Sequence, residues 1–180
     1  MIVRQRIWEE LRFAKASIIC LQRYTDKSRR KSRIFNSLVI LFASTGAISG
    51  AFKQWDVSIV ASSLVALSTI LKTLMPNFLN SEKELSDLDR LMDFYSVYFN
   101  DLEKVWYINE NRNDDDSNCI NESEIMERFF NLKNNESDKF SALNRGVRTI
   151  SKKEMEAINQ EAREYVNRVY FDYGDGKADS

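Results

Sequence analysis

Histidine is missing from all 180 residues. That removes the usual zinc sites and every catalytic triad built on an imidazole base. Cysteine occurs twice, at Cys20 and Cys119, a separation with no metal-binding or redox spacing and no basis for a disulfide framework. One proline and five glycines leave few helix breakers, so a chain that is 43% hydrophobic is expected to be largely helical. No strand, glycine-rich loop and helix follow one another as a phosphate cradle requires; Gly174-Asp-Gly176 is read as a helix stop and a frayed end. The residues Arg4 to Lys15 scatter charge where a secretory signal needs an apolar core. No nucleophile and base stand together, and the carboxylates are dispersed, so an enzyme is not expected.

Charge is nearly absent from one place in a chain that is otherwise dense with it. Ile34 to Phe52 carries none, and Val57 to Met75 carries only Lys72, whose stem can snorkel to an interface. Each run has about the length of a membrane helix, which needs roughly 20 mostly apolar residues. They are joined by Lys53-Gln54-Trp55-Asp56 and left at Pro76-Asn77. The expectation is an all-α membrane protein with a transmembrane hairpin over 34–76 (34–52 and 57–75). The competing reading is a pair of buried helices in a soluble all-α domain. Arg29, Arg30, Lys31 and Arg33 precede the first run as a membrane-surface basic cluster, which by the positive-inside rule puts both termini in the cytoplasm. That no charge falls at mid-membrane depth argues against a proton relay, a voltage sensor or a coupled transporter; passive permeation or structural anchoring remains.

The flanks differ in sign. Residues 1–33 hold ten Lys/Arg against three Asp/Glu, and residues 81–180 hold fourteen against twenty-three. A basic arm suits the anionic face of a lipid bilayer. Nucleic acid is not an expected partner, because DKSRRKSR lacks interleaved aromatics.

Within the first run, Gly46 and Gly50 form a G-x-x-x-G, and Ala43 and Ala47 extend the same small-residue face. Backbones approach closely there, either sealing the hairpin within one chain or packing between subunits of a homo-oligomer. In the second case Ser44, Ser49, Ser62, Ser63 and Thr69 are the hydroxyls available to line a pore.

The remaining chain is amphipathic. Residues 1–33 place Ile7, Leu11, Ala14, Ile18 and Leu21 on one helical stripe that Trp8 broadens. After a capping box, Ser81-x-x-Glu84, the segment 81–108 repeats Leu85, Leu88, Met92, Tyr95, Phe99, Leu102 and Trp106 at alternating spacings of three and four. This heptad stripe can pair with the N-terminal stripe in the same chain or form a coiled coil between chains. Residues 109–123 read as a polar linker; Asp114, Asp115 and Asp116 lack the spacing of a calcium loop. The part 124–180 is expected to form further cytoplasmic helices: a short one capped by Asn121 and carrying Ile125 to Leu132, a polar stretch NNESDKFSALNRG, and a helix over 152–171 capped by Ser151. Together the amphipathic helices should form a cytoplasmic bundle.

A basic N-terminal helix ending in KSRRKSR, two close membrane runs with a very short turn, and a long acidic helix after NFLNSEKELSDLDRL resemble the SLATT domains of bacterial conflict systems. The similarity covers roughly residues 1–110. It implies an antiviral-defence effector in the bacterial inner membrane, held silent until a sensor protein or a nucleotide-producing enzyme signals infection, which then oligomerises as a pore-forming assembly and permeabilises or depolarises the membrane. No cofactor is expected. The alternative is a non-conducting membrane anchor or scaffold that localises a cytoplasmic partner.

Overall fold

The computed structural model describes residues 2–49, 62–70, 72–73, 79–110, 121–147 and 150–170. Among these the chain is all-α. The helices are α1 (Ile2–Ser49), α2 (Glu82–Glu110), α3 (Glu122–Gly146) and α4 (Lys152–Tyr170), with residues 62–70 and 72–73 helical as well. The chain divides into two compact units, one of residues 1–24 with 87–180 and one of residues 25–86.

α1 runs unbroken through the junction expected at 33/34, since no proline or glycine interrupts residues 2–45. Among the described residues no helix is long and apolar enough to cross a membrane. Of the two uncharged runs, the described parts are 34–49 and 62–70 with 72–73.

Three helix starts follow from their caps. Glu84 N–H donates to Ser81 Oγ at 3.2 Å while Glu84 Oε2 accepts from Ser81 N–H at 2.7 Å, a complete reciprocal box. Asn121 Oδ1 accepts from the Ser123 N–H at 3.4 Å, and Ser151 Oγ accepts from the Glu154 N–H at 3.2 Å.

α3 corrects one expectation: it is 25 residues long and passes through the stretch NNESDKFSALNRG, which reads as a polar break. Asparagine, serine and aspartate are weak helix formers, but packing overrides propensity. Glu136 and Leu143 continue the buried face begun by Ile125 and Phe129.

In the first unit these helices form a four-helix bundle. α1 buries Val3, Ile7, Leu11, Ala14 and Leu21, whereas Ile18 is half-buried. α2 buries Leu88, Tyr95, Phe99, Leu102 and Trp106 of its heptad stripe, with Met92 half-buried; Leu85, in the second unit, is buried too. The two stripes therefore meet helices of their own chain: Phe13 lies edge-on to Tyr95 at 6.1 Å between ring centres. α4 enters through Ile158, Ala162 and Val166, every fourth residue, and Ile158 and Ala162 pack with Ile19 and Cys20 of α1.

Candidate functional site

Three inward positions of the bundle that periodicity reserves for apolar residues are occupied by polar ones. On α1 the buried positions Ile7, Glu10, Ala14, Ser17 and Leu21 step by three and four, so Glu10 and Ser17 are carried into the core by their apolar neighbours. On α3 the same logic seats Glu136 between Phe129 and Leu143. Glu10 is 7% exposed and Glu136 only 3%. Ionised carboxylates so placed need partners, and α2 and α3 supply them.

Tyr95 donates its hydroxyl to Glu136 Oε1 at 2.8 Å, and Tyr98 donates to Glu10 Oε1 at 3.0 Å. Lys133, one turn before Glu136 on α3, donates to Glu10 Oε2 at 2.5 Å. Five side chains from three helices thus form one polar cluster: Glu10, Tyr95, Tyr98, Lys133 and Glu136. An aromatic shell surrounds it. Phe94 stacks on Tyr98 with centroids 6.0 Å apart, and the Lys133 ammonium stands 5.5 Å from the centre of the Phe13 ring.

The electrostatics follow from burial. Desolvation pushes the Glu136 carboxyl above the ordinary carboxylate range; the Tyr95 hydrogen bond and the Lys133 charge oppose this, and the Glu10 charge adds to it. The Tyr95 phenol is driven well above its usual value, first by burial and then by the carboxylate it bonds, while the Ser17 hydroxyl works in the opposite direction. Tyr98 is raised too, by burial and by Glu10. Both phenols are therefore fixed as neutral donors, and Glu136 is the group whose protonation the fold favours.

A second cation sits among rings at the α1/α2/α4 seam. The Lys15 ammonium lies 3.7 Å from the centre of the Tyr165 ring and 5.7 Å from that of Phe99. Burial lowers its pKa, with the Glu161 carboxylate opposing. Glu161 also pairs with Arg23 across the α1/α4 surface. Near the other end of the bundle Arg4 bonds Glu110 at 2.9 Å and covers Trp106, against which Tyr170 packs at 5.5 Å.

Tyr95 is the one heptad residue that belongs to the polar cluster; Leu88, Phe99, Leu102 and Trp106 are apolar core. Glu10, Tyr98, Lys133 and Glu136 were not singled out by sequence, and the available signal was polar residues standing at core positions of a three-four repeat. Arg29, Arg30, Lys31 and Arg33 are exposed on α1. Ser44, Ser62, Ser63 and Thr69 are exposed on helices; Ser44 donates to the Leu41 carbonyl at 3.0 Å and Thr69 to that of Val65 at 2.9 Å. Ala43, Gly46, Ala47 and Ser49 belong to α1 by their backbone, but their side-chain surroundings, and Gly50 altogether, lie outside the described residues. No group of three or more His, Cys, Asp or Glu is placed to hold a metal ion among the described residues. No protein-family model, no curated protein and no solved structure matches the chain.

Proposed function

We propose that the chain is a bacterial membrane effector: its 34–76 segment inserts in the inner membrane as a hairpin, associates between subunits, and depolarises the membrane when a sensor protein or nucleotide signal engages its helical bundle. The resemblance to SLATT domains supplies the functional class. The observation that supports membrane insertion is the exposure of large apolar side chains on more than one face of the helices in the second unit.

Ile34 is 54% exposed, and Leu38 and Leu41 are exposed on the same side of α1. Ile40, at 68%, projects roughly 100° or more away from all three at 100° per residue. In the second run Val65 and Ile70 are both exposed although they lie roughly 140° apart. A helix that is apolar around most of its circumference belongs in lipid or in a large core. Each such side chain gains about 1.5–3 kcal/mol on full burial, so leaving them all in water forfeits energy on the order of a domain's net stability. The hydroxyls agree with an apolar medium. Ser44, Ser68, Thr69 and Thr73 each donate to a carbonyl three or four residues back, so none of these donors depends on water.

The test is membrane potential in bacteria, read with a voltage-sensitive dye, while the wild-type chain and a Gly46→Leu/Gly50→Leu variant are induced to equal membrane levels. Depolarisation by the wild type alone is the expected result, because high copy number populates the oligomer by mass action. If neither chain depolarises the cells while both insert, the conducting reading fails and the non-conducting anchor takes its place. If the chain stays out of the membrane fraction, the hairpin reading fails.

A further inference from the structure

We infer that the bundle holds a binding site for a small, uncharged, chiefly apolar molecule in the cavity between α1, the C-terminal half of α3 and the start of α4. The cavity measures about 350 Å³. That volume is at the lower end of the roughly 300–1,000 Å³ usual for small-molecule sites. The cavity opens to solvent on one side, so its apolar lining faces water that an apolar occupant would displace.

The lining sets the chemistry of the occupant. Phe13 and Cys20 from α1, Leu143 from α3, and Val147 and Ile150 from the α3–α4 connection make an apolar wall. Among the described residues none that line the cavity carries a charge. The polar groups are few. Asn144 and Asn159 are exposed carboxamides, able to donate or accept, and the buried Ser17 hydroxyl is already donated to the Phe13 carbonyl at 3.0 Å. An apolar body with one neutral hydrogen-bonding end fits that distribution. An anionic end fits less well: no described lining residue is a cation, and the Glu154 carboxylate bears on Cys20, adding to the burial that holds its thiol protonated.

Two further lining residues mark an entrance. Phe140 and Met155 are large apolar side chains, on α3 and α4, that remain exposed although both border the cavity. An occupant would cover them. It would also rest on the Phe13 ring, which on its other sides neighbours Tyr95 and Lys133 of the polar cluster, so one ring separates the occupant from that cluster.

Cys20 provides the test from inside the site. In the full chain carrying Cys119→Ser, Cys20 is the sole thiol, and its rate of modification by methyl methanethiosulfonate is read by intact mass in lipid nanodiscs with 1-octanol or octanoate added. Octanol should slow the reaction saturably, about threefold at twice its dissociation constant, because only empty sites react. Octanoate at the same concentration should leave the rate unchanged. Ala16→Phe, which fills the space from the α1 side, should react slowly and ignore octanol; Ala16→Leu serves the same purpose if the larger ring prevents folding. A rate indifferent to octanol, a slowing that does not saturate, an equal slowing by octanoate, or an undiminished octanol effect in the filled variants would each overturn the site.

Discussion

Replacing Glu136 by glutamine separates what its shape does from what its charge does. The folded chain holds the Glu136 proton more tightly than the unfolded chain, because burial disfavours the ionised form. The sign follows. The contribution to stability is full below the ordinary carboxyl value of 4.5 and is lost as pH rises through the elevated folded value. Each unit of elevation withholds about 1.4 kcal/mol of stability at neutral pH. Glutamine has no charge to desolvate and keeps an oxygen to accept from Tyr95 at the 2.8 Å position. Glu136→Gln should therefore melt at or above the wild type at pH 7, and the gap should close as pH falls towards 4.5. Glu136→Ala removes the acceptor as well. A buried hydroxyl left without a partner costs about 1–3 kcal/mol, and truncating the side chain adds the loss of its packing. For a unit of this size 1 kcal/mol corresponds to roughly 2–8 °C in Tm. The assay is thermal unfolding followed by helical circular dichroism of the full chain, wild type and both variants, at pH 4.5, 6 and 7.5. If Glu136→Gln is destabilised at neutral pH as much as Glu136→Ala, the ionised carboxylate stabilises the bundle and desolvation does not dominate at this site.

Other substitutions read the same packing. Tyr98→Phe deprives Glu10 of its 3.0 Å donor and should cost about 1–2 kcal/mol. Because Lys133 serves the other oxygen of that carboxylate, Tyr98→Phe and Lys133→Met should be non-additive in a double-mutant cycle; strict additivity would show that the two donors act independently. At Gly146 an added Cβ would stand 2.6 Å from Leu88 Cδ2. The helix gains up to about 1 kcal/mol from alanine. Overpacking against the buried Leu88 costs about 1–3 kcal/mol, so Gly146→Ala should be destabilising in chemical denaturation and relieved by Leu88→Val. By contrast, Arg23→Ala breaks an ion pair whose side chains are both substantially exposed, and should cost under about 1 kcal/mol, vanishing at high salt. A larger, salt-independent loss there would mean that Arg23 stabilises α1 against α4 through its stem rather than its charge.

The apolar repeats were the legible part of this chain. Leu88, Tyr95, Phe99, Leu102 and Trp106 step by three and four, and that spacing alone puts them on one face whatever they pack against. Their partner was not legible: periodicity serves an intramolecular bundle and an intermolecular coiled coil equally well. The choice depends on where α1 and α3 lie, and Phe13 against Tyr95 and Glu136 beneath the Tyr95 hydroxyl decide it.

What sequence reading missed has one physical cause. A residue is assigned to the core by its hydropathy, but its position on a helix is assigned by its neighbours. Glu136 follows Phe129 and precedes Leu143 by seven residues each, two turns on either side, and so points inward whether or not its side chain favours the interior. Reading it as polar breaks α3 at residue 133 and turns a 25-residue helix into a short helix and a loop. Glu10 conceals itself differently, because Ile7, Leu11 and Ala14 complete a stripe without it. The two glutamates are recoverable only together with Tyr95, Tyr98 and Lys133, since a buried carboxylate persists where donors from other helices converge on it. Those donors are 85 to 123 residues from Glu10 along the chain, and no local pattern connects them. A bundle position that sequence periodicity marks as inward and composition marks as polar is therefore the place to look for a buried network. α1 carries two, Glu10 and Ser17, α3 carries Glu136, and α2 supplies the tyrosines that reach both glutamates.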